Sequence, residues 1–572
     1  MRKYRFMVCL PAVVLALSLM SCNGASEKKA QGVTLAADDG PLTPYSSPVT
    51  VTVGYSLDGS FSFREGDSVD DNPWTRLYKD KLNIEMKSLW NVDSSQGTTR
   101  MNTAIASGEY PDILVIDPLN YVKYAESGLI ADTTDLYDKY LTEHARDLLN
   151  CDGGYALNAA RLNGRIYGIP WIASAYDAVK VLWFRQDWLD NLNLPVPKTI
   201  DEFIRVAEAF TNKDPDGNGL NDTYALTMDG TTVGPWRFDM EGFFEMFGAY
   251  PMPDRFANNL GLVEDGAGGL SWGAETPRMK DALALLQDFY KKGYIAQDFG
   301  THDNSKAEAE FVTGKAGMFF GPMHAGMSIA NSFQTNIFTG ILPKNADLNA
   351  APLPGTDGYA KSFLISSYYS NFTISSKHKN PEALFKMFNL GVDTVNYDPD
   401  PAVNALYFGN NDGYYSLAVV IGNYPLANYA GYLNVTEALA TGNKDKLNAI
   451  ERSNVEQILK DYLNIGTVTE ENLPQYAAAY GIWSVFADPN GGYAAVDAAI
   501  KAGALMPAGY GTAPTELMAS RASALTDITN TSIIKIIYGE ESPAYWDTVI
   551  ANWHRIGGDE VLADANKWYK SK

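Results

Sequence analysis

Between Val49 and Asp117 short apolar runs alternate with helix-forming runs, and that alternation restricts the chain more than any other feature. Val49-Thr50-Val51-Thr52-Val53-Gly54 has the period of a strand with one face covered. Asn72 or Asp71 is placed to cap a helix with Pro73 at its first position, running to about Lys81. Residues 83–90 read as the next strand, Met101 to Ser107 as a helix, and the apolar run before Asp117 as a buried strand. Strands and helices in this alternation make an α/β domain with parallel pairings, whose ligands bind beyond the carboxyl ends of the strands. By that rule Trp74 and Asp117 stand at the edge of a cleft. A hydrophobic staple at Trp74 and a helix cap at Asp117 are the structural alternatives.

A second signal runs from Asn163 to Leu189. Asn163-Gly164 is a turn, Arg165 to Trp171 is rich in β-branched and aromatic residues, and Val179 to Phe184 is a short apolar strand. Gln186-Asp187-Trp188-Leu189 then starts a helix with an acid in its first turn. Pro170 stiffens the loop, and Trp171 and Tyr176 offer flat apolar faces with polar edges, which a core would use equally well. The strings NGRIYGIPW, LWFRQDWLDNL and PKTIDEF, with SGEYPDILV before them and KKGYIAQDFG and FVTGKAGMFFGPMHA after, resemble the extracytoplasmic solute-binding proteins of bacterial ABC importers, family 1, sugar and oligosaccharide branch. The resemblance implies a two-lobed, periplasmic-binding-protein-like α/β fold with discontinuous lobes and a hinge between them. The strand after Asn163 is then the first crossover and Tyr368 to Ile374 the second. The expected divisions are 47–170 for the first part of lobe 1, 171–365 for the first part of lobe 2, 366–470 for the return to lobe 1, and 471–572 for closing helices mainly on lobe 2.

Arg2-Lys3-Tyr4-Arg5 and the apolar run Phe6 to Leu19 form an export signal over residues 1–22, and Leu19-Met20-Ser21-Cys22 resembles a lipobox. Cys22 is expected to carry diacylglycerol and an N-acyl chain such as palmitate, anchoring the chain outside the cytoplasm through a flexible linker, 23–46. A plain secretory signal with an incidental cysteine is the alternative. No other stretch offers about 18 unbroken apolar residues to span a membrane. With Cys9 in the signal and Cys22 lipidated, Cys151 has no disulfide partner, and His144, His302, His324, His378 and His554 are too scattered for zinc. A net charge of −23 without a Lys/Arg-rich block excludes nucleic acid as a partner.

Asp214 to Asp222 places oxygen side chains at positions 1, 3, 5 and 9 of an EF-hand pattern, with Gly219 at position 6. Ala225 stands where the bidentate Glu belongs, so the loop resembles instead a calcium loop of oligosaccharide-binding members. Asp214, Asp216, Asn218, the Leu220 carbonyl and Asp222 would hold a structural calcium; a metal-free turn is the alternative. Trp236, before a helix, is a further cleft residue, or a packing one. Many sugar-binding relatives carry a Trp in the loop occupied here by Gly321-Pro322-Met323-His324, which makes His324 a hydrogen-bonding candidate. Tyr368 and Tyr369 on the second crossover, and Phe408 and Tyr414 in the glycine- and aromatic-rich loop beyond it, complete the expected ligand set.

The resemblance thus implies a lipid-anchored, monomeric receptor that captures a carbohydrate and hands it to the permease subunits of an ABC importer. Extra length between and after the crossovers favours an oligosaccharide. Peptide binding, or a surface receptor without a transport partner, fits the same residues. An enzyme is not expected, since there is no Gly-x-Ser-x-Gly elbow, phosphate loop or dinucleotide fingerprint. Among 68 acidic residues a carboxylate pair for glycoside hydrolysis can always be found, so finding one carries no weight.

Overall fold

Strand β1 (Val49–Leu57) buries Val51, Val53, Tyr55 and Leu57 on one face and pairs in parallel with β2 (Ile84–Asp93). The helix Pro73–Leu82 connects them. Asn72 caps its start through a reciprocal capping box with Thr75, and Asn83 ends it in the left-handed region at φ 56°. β3 (Ile113–Ile116) leads into the helix Pro118–Glu126, and β4 (Ile169–Ile172) carries the chain toward lobe 2. The expected strand from Arg165 is therefore shorter than its composition indicates. Leu162 and Arg165 are joined instead by a bridge across the Asn163-Gly164 turn, both of whose residues have positive φ (51° and 80°). The computed structural model describes residues 40–570 except 58–60, 152–153, 173, 231–236, 252–259, 366–367, 398–399, 408–413, 423–426 and 512–513. The export signal with Cys22, the linker up to residue 39, Trp236, Phe408 and the side chain of Tyr369 lie outside the described residues.

Lobe 2 is built on β5 (Lys180–Arg185), buried along its whole length. With β6 (Tyr224–Leu226), β9 (Ala316–Pro322) and β10 (Leu348–Ala351) it forms a sheet ordered β10-β5-β9-β6; β7 (Leu262–Glu264) and β8 (Leu270–Trp272) form a separate hairpin. The helix Ile200–Asn212 starts on the Thr199 capping box read from the sequence and buries Phe203, Val206 and Phe210. The closing helices Trp546–Trp553 and Asp559–Tyr569 seal this core. Trp553 stacks on Trp272 with ring centroids 4.5 Å apart, and the Trp546 indole donates to the Ala274 carbonyl at 3.1 Å. On the other face of the sheet, the helices Ala325–Thr339 and Leu473–Phe486 pack together, and Tyr429 and Tyr432 join the same core.

The chain leaves lobe 2 through β11 (Ser362–Leu364), which pairs with β13 (Leu505–Pro507), and returns as β12 (Tyr368–Ile374). β12 lies between β3 and β4 and runs antiparallel to both. Parallel pairing thus holds for β1 with β2 but not at the crossovers: a chain that re-enters lobe 1 where β4 left it must run back along β4. A Cβ at Gly168 would stand 2.2 Å from the Phe372 carbonyl oxygen, so the two crossovers can approach only at a glycine. Gly168→Ala is expected to destabilise the protein by about 1–3 kcal/mol in urea unfolding, the cost of overpacking a closed site. Gly164→Ala, with no atom within 4 Å of the added carbon, should cost about 1 kcal/mol through backbone strain alone.

Candidate ligand-binding site

The expected ligand residues fall into three groups, and the crossovers hold the first. Trp171 in β4 is partly exposed and stacks on Phe372 of β12, centroids 5.4 Å apart and 20° from parallel. Its register partner is Ser370, and the ladder is irregular between Tyr368 and Ser370, as a bulge that re-aims side chains would make it. Tyr368 is buried and its hydroxyl accepts from Asn371 Nδ2 at 2.5 Å; burial holds the phenol well above its ordinary pKa. Ser370 Oγ and Asn371 Oδ1 are buried with no hydrogen-bond partner among the described residues, a condition protein interiors rarely leave standing. Asp117 stands at the carboxyl end of β3 but acts as a cap. Its Oδ1 accepts from Leu119 N and Asn120 N, each at 3.0 Å, and its exposed carboxylate adds to the upward push on Tyr368.

The second group lies in lobe 1. Trp74 is wholly buried; its indole N–H donates to the carbonyls of Tyr407 (3.1 Å) and Tyr414 (3.2 Å), and its ring lies 4.9 Å from that of Tyr407. The Tyr414 hydroxyl donates to Asp67 Oδ2 at 2.9 Å and accepts from Arg64 N at 2.6 Å, while the Arg64 guanidinium lies 3.8 Å over the ring. Both rings are thereby committed to fastening the segment around residue 414 onto the helix Pro73–Leu82. The ring exposed in this group is Tyr415, at 53%.

The third group is the lobe 2 face. Tyr176, in the helical turn Ala175–Ala178, meets Tyr429 edge-on at 5.5 Å, and Tyr432 stacks on Tyr493 behind it. Asp177 accepts from the Tyr493 hydroxyl and from Asn428 Nδ2 (2.8 Å), and burial pushes its carboxyl up. His324 precedes the helix Ala325–Thr339 and bonds to the Asp177 main chain, so Asp177 brings Tyr176 and His324 together. Burial first, then the charges of Arg237 and Lys180, lower the His324 pKa to about 3, which leaves a neutral ring able to donate and to accept.

The sequence reading missed what lies beneath. Lys180 Nζ is ion-paired to Asp239 and, at 3.2 Å, to Glu241, with Glu245 close by; burial raises Asp239 to about 7 and holds Glu245 well above a carboxylate's usual range. The one available signal was a lysine at the head of an otherwise apolar run. A cavity of about 790 Å³ lies elsewhere, between Glu126 and Tyr167 on one side and Tyr510 and Trp568 on the other; it is lined by none of the expected ligand residues.

In the loop at 214–222, Asp214, Asp216 and Asn218 accept from the loop's own N–H groups, and positive φ at Asp214, Gly217 and Gly219 curls the backbone around them. Burial first, then the charges of Asp222 and Asp214, push the Asp216 carboxyl up. Among the described residues no cluster of three or more His, Cys, Asp or Glu side chains is arranged to hold a metal ion.

A family model described as bacterial extracellular solute-binding protein matches residues 74–394, more than half of the chain. Lipoprotein LipO of Bacillus subtilis strain 168 is 32% identical over 256 residues, 44% of this chain and 46% of LipO. The fructooligosaccharide ABC transporter substrate-binding protein FusA of Streptococcus pneumoniae serotype 4 is 28% identical over 241 residues, 40% of this chain and 43% of FusA. The chain thus spans under half the length of these curated relatives. Among solved structures, alginate-binding protein AlgQ2 without calcium ion matches with a TM-score of 0.59 at 17% identity, over 93% of this chain and 100% of that one. An EF-hand mutant of S. pneumoniae FusA in complex with fructo-nystose matches with a TM-score of 0.58 at 18% identity, over 91% of this chain and 99% of that one. The fold is accordingly the two-lobed, discontinuous α/β fold of periplasmic-binding-protein type.

His324 should stay neutral from pH 5 to 8, so its ring resonances in NMR should not titrate across that range. Folding lowers its pKa from 6.5, so its stabilising contribution is complete above pH 6.5 and is lost as the pH falls toward 3.

Proposed function

We propose that this chain, which belongs to the bacterial extracellular solute-binding proteins, captures a carbohydrate between its lobes and delivers it to the permease of an ABC importer. The observation that carries the reading is at the crossovers. A partly exposed ring, Trp171, pairs in register with Ser370, whose buried hydroxyl, like Oδ1 of the adjoining Asn371, has no hydrogen-bond partner among the described residues. A ring face for the apolar side of a sugar and unspent hydrogen-bonding groups for its hydroxyls are what a saccharide needs. Tyr176 and His324 supply the same pair of functions from lobe 2. Asp117 and Tyr368 line the joint, and Trp74 with Tyr414 backs the lobe 1 wall; Tyr369, Trp236 and Phe408 keep their place in the proposed set. The fructooligosaccharide in FusA's name favours an oligosaccharide here. The protein acts as a monomeric binding protein rather than an enzyme, lipid-anchored through Cys22 on the outer side of the membrane.

The lobe divisions are proposed at 170/171 and 365/366. The return to lobe 1 is proposed over 366–470, a stretch whose Tyr429 and Tyr432 share the core of the lobe 2 helix Ala325–Thr339. The loop at 214–222 is proposed to hold a structural calcium, which would relieve the repulsion among Asp214, Asp216 and Asp222. AlgQ2 described without calcium ion and FusA described as an EF-hand mutant support a cation loop within this fold.

A thermal-shift screen of the chain without residues 1–22, against neutral and acidic oligosaccharides and peptides, tests the function. Binding to the folded state alone adds about 2.7 kcal/mol at a hundredfold excess over Kd. A shift with saccharide and no product is expected, and a shift with peptides alone would overturn the reading. Trp171→Ala should weaken saccharide binding about tenfold or more, from the loss of about 1–3 kcal/mol of ring stacking, and should cost the free protein about 0.5–1.5 kcal/mol through the lost stack on Phe372. Chelator-stripped protein should regain several degrees of melting temperature on calcium titration; a flat titration would overturn the calcium assignment.

A further inference from the structure

The cavity of about 790 Å³ is walled by two helix faces and a turn. Val122, Ala125 and Glu126, at i, i+3 and i+4 of the helix Pro118–Glu126, form one wall beside the turn at Asn163. Asp564, Lys567 and Trp568, in the same spacing on the helix Asp559–Tyr569, form the other, with Tyr510 and the start of the helix Glu516–Tyr538. One wall belongs to lobe 1 and the other to the closing helices, so a molecule filling the space touches both. The volume falls within the roughly 300–1,000 Å³ of small-molecule sites.

This space lies on the far side of the crossover sheet from Trp171. Trp171 stacks on Phe372, and Phe372 lies 6.4 Å from Phe388 of the helix Ala383–Val392, which puts that helix on their face. Asn371, the next residue along β12, points to the opposite face. There its amide meets Tyr368, close to Tyr121 of the helix Pro118–Glu126. The Tyr121 hydroxyl accepts from Tyr167 N and donates to the Ala160 carbonyl, each at 2.9 Å, and so holds the turn against the helix. The cavity opens beyond that helix.

Rings from both walls line the space. Tyr167 is half-buried and meets Tyr121 edge-on at 6.4 Å, and the half-buried Trp568 lies 4.8 Å from Tyr510. Among the described residues no hydrogen bond or ion pair engages the carboxylates of Glu126, Glu516 and Asp564 or the ammonium of Lys567. Arg161 donates to the Gly164 carbonyl at 3.3 Å, and Arg165 is ion-paired to Asp132. The lining thus carries acids and bases in near balance, with much of their hydrogen-bonding capacity unspent. An anionic ligand would meet three carboxylates, a cationic one would meet Arg161 and Lys567, and an apolar one would desolvate them all. A neutral molecule rich in hydroxyls satisfies both signs at once, because a hydroxyl donates to a carboxylate and accepts from an ammonium. Its C–H faces suit the rings of Tyr167 and Trp568.

We propose that this cavity is a second saccharide site, separate from the one at the crossovers, which seats a neutral sugar chain between Tyr167 and the Tyr510–Trp568 pair. It depends on none of Trp171, Tyr176 and His324.

The test is isothermal titration calorimetry of the wild-type protein and its variants with neutral fructo-, malto- and galacto-oligosaccharides. The wild type is expected to take up two equivalents of one of these sugars. Trp171→Ala should weaken one equivalent and Trp568→Ala the other, each by about tenfold or more through the lost ring stacking. Lys567→Ala, at an exposed position, decides the question if Trp568→Ala fails to fold. It should weaken the same equivalent severalfold and leave the one that depends on Trp171 unchanged. A single equivalent that responds to Trp568→Ala and Lys567→Ala but not to Trp171→Ala would support the cavity and overturn the crossover site instead. Saccharide binding in which every equivalent is indifferent to both Trp568→Ala and Lys567→Ala would overturn this inference and leave the proposed function standing. No saccharide binding would overturn both.

Discussion

The β4–β12 ladder joins the lobes by hydrogen bonds as well as by chain. β4 carries the backbone out of lobe 1 and β12 brings it back, and the two lie side by side in antiparallel register. Two passages that pair with each other resist sliding, so the motion left to the lobes is rotation about the points where the ladder ends. Close approach at Gly168 and the Trp171–Phe372 stack keep the two passages together. The residues proposed to meet a ligand sit at the end of this ladder, where a contact would bear on both lobes at once.

Aromatic side chains divide according to what else they must do. Trp74 and Tyr414 spend their indole N–H, hydroxyl and ring faces on holding a late segment against an early helix, and so form a wall. Trp171 and Tyr176 stand where the chain passes from β4 to β5 and from one core to the other, Trp171 stacked on Phe372 and Tyr176 edge-on to Tyr429. Burial is decided by the number of elements competing for a face, and at a junction of cores that number is low. Ser370 Oγ and Asn371 Oδ1, buried without a hydrogen-bond partner among the described residues, follow directly after the register irregularity between Tyr368 and Ser370.

Local features were legible in the residues. The cap at Asn72 or Asp71, the capping box at Thr199, the turn at Asn163-Gly164 and the strand periods all came from short spacings, and each appears in the structure within a few residues of its expected place, the cap falling on Asn72. Long-range matters were not. The direction of β12 depends on a strand some two hundred residues away, and alternation of strand and helix says nothing of it; parallel pairing, expected for the strands before Asp117, holds for β1 with β2, while β3 pairs antiparallel with β12. Asp117 reads equally as a ligand group and as a cap, and here it caps. Lys180 meets Asp239 across 59 positions of sequence, so no window on either residue reveals a buried ion pair.

The insertion of lobe 2 within lobe 1 has a consequence for a chain that emerges in order from its amino end. β3 and β4 exist early, but the strand that belongs between them is not made until residue 368, and by then all four strands of the β10-β5-β9-β6 sheet have already appeared. Contacts so distant along the chain form slowly, and until they form the first lobe exposes two unpaired strand edges. Lobe 2 must in turn wait for Trp546 and Trp553 before its core is sealed. Each half is thus held open by a piece the other half delays. That interdependence keeps a growing chain unlocked until the helices carrying Trp546 and Trp553 are made, the condition an export channel requires of what it passes through.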